Sequence, residues 1–287
     1  MAVTINTNVD SLKIQNILNS ATSNLSTTME RMSSGLKINR AGDDAAGTVI
    51  AAKMDVQLDG NKIAQNNIQN ANNMLSTVEG NLDVVQDNLS RIRDLTLQAK
   101  NSTYSTDEKA AMQAEITERM EEIDRISTSS KYSGLHLFTA DTPDDPLAEG
   151  ATFQVGADAR GDNVISVDKS IFESVKFSAL TTMAAANFDV STMKSAELSA
   201  AIQNLDNAIN SITARKSTIG SAENRLSSAL DTLTTQYENL SSSKSVITDA
   251  DIAAEASSYT QNQILQQISV SLLAQANQAP AIASSLI

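Results

Sequence analysis

Apolar side chains recur along most of this chain at intervals of three and four residues. Near the start, Ile14, Leu18, Ala21, Leu25, Met29, Met32 and Leu36 form one stripe with a single irregular step, which predicts a helix over 5–36. Gly35 stands where that helix would weaken or end, and a Gly- and charge-rich joint runs from Ser33 to Gly47. Ala71, Leu75, Val78, Leu82, Val85, Leu89 and Ile92 then make an uninterrupted heptad seam, predicting a helix over 61–100. Ser105-Thr106-Asp107-Glu108 has the form of a capping box and opens a third helix carrying Met112, Ile116, Met120, Ile123 and Ile126. Residues 195–245 read as one long helix, whose strict spacing from Leu198 to Leu240 alone covers roughly 60 Å of rise. Its seam runs through Leu198, Leu205, Ile212, Leu226 and Leu233, with Lys216 and Glu223 as polar register residues.

The stretch 131–195 breaks the pattern. It holds all five Phe, two of the three Pro and four of the ten Gly. Phe153-Gln154-Val155 and Asn163–Val167 alternate as strands would, so a β-hairpin turning near Arg160-Gly161-Asp162 is the only β region expected. Residues 248–287 return to the character of the N-terminus. No charged residue follows Glu255, and Ile264, Leu265, Ile268, Leu272, Leu273 and Ala276 are interleaved with Ser, Thr, Asn and Gln.

Two amphipathic, nearly uncharged helices at opposite chain ends gain little in isolation; their stability must come from packing. They are expected to pair antiparallel and to share an inner layer with further copies, in an open helical polymer. The expected fold is mainly α: an elongated antiparallel helical bundle or coiled coil with a small β-hairpin region. Residues 1–45 plus 248–287 would form the inner domain. Residues 46–247 would form an outer bundle, with a short variable region at about 135–195. Polymerisation is assigned to Leu18, Leu25, Met29, Met32, Ile264, Leu265, Ile268 and Leu272. The outer-bundle seam is assigned to Leu75, Leu82, Leu89, Leu205, Ile212, Leu226 and Leu233.

Composition narrows the functional classes. The 287 residues include no Cys and one His, so thiol chemistry, Cys-based metal sites and multi-His centres are excluded. No catalytic residue, cofactor or metal site is expected, and the chain reads as a non-enzyme. Lys plus Arg total 21 against 34 Asp plus Glu, a net charge of -13, which argues against a nucleic-acid partner. No apolar run is long enough to cross a membrane, and no h-region marks a cleaved Sec signal. Asp43-Asp44 lacks the spacing of a cation or phosphate loop and reads as a joint with Asp near a helix start.

Several motifs in order resemble those of bacterial flagellins: Ile5-Asn6-Thr7-Asn8, Met32–Asn39, Asp43–Gly47, Arg91–Leu95, Glu121–Ile126, Phe153–Gly156, Ile264–Gln267 and Leu273–Gln278. The resemblance implies a structural subunit that self-assembles into the extracellular flagellar filament. It also implies type III export without a cleaved Sec signal, an export chaperone binding at 264–273, and insertion under a filament cap. By the same resemblance, Arg91, Leu95 and Glu115 match the contact made with a host flagellin-sensing Toll-like receptor. A hook–filament junction protein is the alternative reading; a coiled-coil adaptor or a stalked adhesin follows behind it.

Overall fold

A computed structural model of the chain describes residues 7–138, 146, 147, 149–158, 160–181 and 188–285, with side chains to Gln278. The elements are α1 (Val9–Ser34), α2 (Ala45–Ala99), α3 (Thr106–Ser129), β1 (Lys131–Tyr132), β2 (Leu135–His136), β3 (Ala151–Gln154), β4 (Val164–Val167), α4 (Phe177–Thr181), α5 (Ser195–Thr248) and α6 (Ile252–Ser285). The fold is mainly α, with the N- and C-terminal helices paired and two small antiparallel strand pairs. The chain divides into two compact units, 1–58 with 238–287, and 59–237. These boundaries assign the first turns of α2 and the last turns of α5 to the unit containing the chain ends.

Within 59–237 the predicted seam is the core. Leu75, Leu82 and Leu89 of α2 and Leu205, Ile212, Leu226 and Leu233 of α5 are buried in one cluster with Ile116, Met120, Ile123 and Ile126 of α3. The polar residues on the α5 seam face α2: Lys216 pairs with Asp83, and Glu223 accepts from the Ser76 hydroxyl at 3.3 Å. The capping box forms as the sequence predicts. Ser105 N–H donates to Glu108 Oε2 at 2.7 Å, and Ser105 Oγ accepts from Glu108 N–H at 3.4 Å. Phe172, Phe177 and Phe188 join the same cluster, with Phe177 and Phe188 edge to face at 5.4 Å.

The predicted hairpin is β3–β4, with Phe153 opposite Ile165 and Gln154 opposite Val164. A second hairpin, β1–β2, goes beyond what the sequence pattern predicts. Its strands are two residues long, too short to show alternation. Its turn places Ser133 and Gly134 at positive φ, as a tight hairpin requires. α2 also begins sixteen residues earlier than predicted, at Ala45 rather than 61. Asp44 caps it by accepting from Gly47 N–H at 2.9 Å; a Cβ at Gly47 would stand 2.5 Å from that carboxylate. Gly35 ends α1 in the left-handed conformation, φ 72°, its N–H donating to Arg31 O.

Within the first unit, the two joints between helices are stitched together. Lys37 N–H donates to Thr248 O at 2.7 Å and Ala250 N–H to Gly35 O at 2.9 Å, around an isolated bridge between Leu36 and Asp249. Asp43 organises the first joint by accepting from Asn39 and Arg40 N–H. The Arg40 amide, then that of Asn39, hold its carboxyl below the usual range.

Candidate assembly surface

The seam of α1 is a regular heptad once Thr28 takes the place the sequence reading gives to Met29. Ile14, Leu18, Leu25 and Met32 are half-buried, Ala21 and Thr28 are buried, and Met29 is half exposed. The irregular step in the apolar pattern therefore reflects a polar residue inside the seam. Thr28 is admitted there because its hydroxyl bonds Asn24 O one turn back.

α6 turns the other way from what its composition suggests. Beyond its first turn, the residues it withdraws from water are Tyr259, Asn262, Gln266, Ser269, Leu273 and Ala276, spaced by three and four. Most are polar or small, so a search for apolar periodicity passes over them. Hydrogen bonds to α1 and its cap hold the pair: Gln266 Nε2 donates to Thr22 Oγ1 at 3.3 Å, Asn8 Nδ2 to Ala276 O at 2.8 Å, and Ser11 Oγ to Asn277 Oδ1 at 2.9 Å. At the other end Arg31 meets Glu255 at 3.3 Å.

Apart from Leu273, the large apolar residues of α6 lie outside this seam. Ile264, Leu265, Ile268 and Leu272 are between 39% and 51% exposed. Ile264 and Leu265 continue into a shallow groove with Ala256, Ser257, Thr260 and Gln261. Of the eight predicted polymerisation residues, Leu18, Leu25 and Met32 hold α1 to α6. Met29 and the four α6 residues are offered outward. Chemically the outward face can do one thing well, which is to bury apolar area against another surface.

Arg91 and Glu115 form a bidentate pair, 2.8 and 3.2 Å, between α2 and α3. Glu115 also accepts from Arg119 at 3.1 Å. The Arg91 hydrogen bond is the largest influence lowering the Glu115 pKa, ahead of the opposing desolvation. Leu95 does not share that surface: it is 3% exposed and belongs to the core. Among the described residues, no three His, Asp or Glu side chains are grouped so as to hold a metal.

Residues 5–142 match the family model of the bacterial flagellin N-terminal helical region, and residues 202–286 that of the C-terminal helical region. The chain is 34% identical to the flagellar filament 30.7 kDa core protein of Treponema maltophilum, over 95% of each chain. It is 36% identical to a flagellin of Xenorhabdus nematophila over the whole of both chains. With a flagellin of Bacillus subtilis it shares 33% identity over 96% of this chain and 97% of the other. A solved structure assigned to a flagellar hook-associated protein of Vibrio parahaemolyticus has a similar fold, with TM-score 0.59 and 14% identity. That likeness covers 71% of this chain and 99% of the other.

Proposed function

The chain belongs to the bacterial flagellin family, and from that premise we propose how its copies join into a filament. Its function is that of a structural subunit of the flagellar filament, an extracellular appendage. In the proposed assembly, the α1–α6 pair forms the inner layer, and the α6 stripe of Ile264, Leu265, Ile268 and Leu272 is buried between copies. The helices of 59–237 form the water-facing layer around it.

The observation that carries this reading is that the stripe lies outside the α1 seam, on an exposed flank of a helix with no charge after Glu255. Removing the exposed half of each of these four side chains from water contributes about 1 kcal/mol apiece. An uncharged flank lets helices approach without stranding an ion. Before assembly the same stripe needs cover, which supports an export chaperone there and delivery to a capped tip through the flagellar export channel.

The test is seeded polymerisation. Dispersed protein returned to neutral pH with sheared seeds is expected to grow long uniform filaments by electron microscopy. Decoration of seed ends without growth would favour the hook–filament junction protein. No association at all would overturn the assembly reading.

A further inference from the structure

We infer that the filament has a second contact, in which the outer face of α2 around Val49 and Val56 in one copy packs on the outer face of α5 at Val246 in the next. This rests on the filament reading above but uses a different surface from the α6 stripe. Within the first unit, the start of α2 and the end of α5 run as a pair, joined by Lys244 and Asp55 at 2.5 Å. Ala51 and Leu58 are buried on the inner side of α2. Val49 and Val56 each precede one of them by two positions, about 200° around the helix, and so face outward. Val56 is 74% exposed. On α5, Val246 stands two positions beyond Lys244, which faces α2, and is 81% exposed.

These residues break the rule that a water-facing helix row is polar. Val49, Val56 and Ile63 follow one another at seven-residue intervals on α2, yet the same row reads Asn70 and Thr77 further on. β-Branched residues at exposed helix positions are poor helix formers and expose apolar area at the same time. Among the described residues Val49, Val56 and Val246 stay exposed, and the partner helix lies on the opposite side of each.

A second copy fits for three reasons. A filament subunit is surrounded by copies of itself. An open polymer needs two unlike faces per contact, and this pair of helices carries one on each side. The rim also offers one pair of opposite charges: Lys53, one turn before Val56, and Asp249, one turn after Val246, are both exposed, with Asp59 exposed on the other side of Val56.

The absence of Cys makes the test direct. Val56→Cys and Val246→Cys are made as separate variants and copolymerised on wild-type seeds, then treated with a short bis-maleimide. The contact predicts covalent dimers containing one of each variant, in filaments and not in dispersed protein. Side by side, the two helices span roughly 20 Å, so a short linker does not join the two positions within one chain. Val56→Asp is expected to slow seeded growth roughly tenfold, with the helix content of the dispersed protein unchanged.

The contact is overturned if filaments grow normally from Val56→Asp, or if the thiol of the Val56→Cys variant reacts with maleimide as fast in filaments as in dispersed protein. If unmodified protein forms no filament on seeds, the assembly reading falls and takes this contact with it.

Discussion

Ser269 is 4% exposed against α1, while its neighbour Ile268, about 100° further round the same helix, is half exposed. In a self-sufficient protein the two would trade places. In the proposed assembly α6 serves two partners: α1 through a small, polar seam, and other copies through its apolar stripe. Ile268→Asp is therefore expected to abolish seeded assembly while costing the single chain little. Sedimentation with seeds reads the first effect. Thermal unfolding of the dispersed protein by circular dichroism, expected to match the unmodified chain, reads the second.

The opposite substitution probes the seam. Ser269→Leu puts a large side chain in place of a small one where α6 meets α1, along the seam that also buries Ala21 and Thr28. Overpacking of this kind costs about 1–3 kcal/mol. Hydrogen exchange in α1 and α6 should speed up, while exchange in α2 between 70 and 95 stays slow.

How much of this is legible in the sequence depends on which residues are buried. The α2 seam from Ala71 to Ile92 can be read because every seam residue is apolar and every one is buried. The start of α2 cannot. Its inner row is short, Ala51 and Leu58 with the charged Asp55 between them, and its outer row is apolar instead. On α6 the apolar pattern marks the exposed stripe and only the end of the seam, at Leu273 and Ala276, since Asn262, Gln266 and Ser269 carry no hydrophobic signal. The partner of Arg91 is equally hidden. Asp87 and Asp94 lie close in sequence, but the guanidinium reaches Glu115 on the next helix.

Two helix glycines should respond with opposite signs. A Cβ on Gly60 would stand 2.7 Å from the Cβ and 3.1 Å from the Cα of Ala157, beside the β3–β4 hairpin. A Cβ on Gly80 meets nothing within 4 Å. Glycine-to-alanine in a helix interior gains about 0.5–1 kcal/mol when space is free. Gly80→Ala is thus expected to raise the melting temperature. Gly60→Ala has to push the hairpin away and should lower it. Equal shifts in thermal melts would show that the hairpin yields without cost.

The Glu115 carboxylate gives the bundle an acid-sensitive link. Hydrogen bonds from Arg91, and less strongly from Arg119, lower its pKa below the ordinary value of 4.5. A carboxyl whose folded pKa is depressed binds protons more readily when unfolded. Its stabilisation is therefore complete above the ordinary value and is lost as pH falls through the lower, folded one. The pair is half exposed, so solvent screening keeps the effect small. Glu115→Gln should flatten the fall in stability between about pH 5 and pH 3 in urea titrations and should leave the slope above that range unchanged. An identical slope in both proteins would mean that Arg91 pairs with Glu115 no more strongly in the folded chain than in the unfolded one.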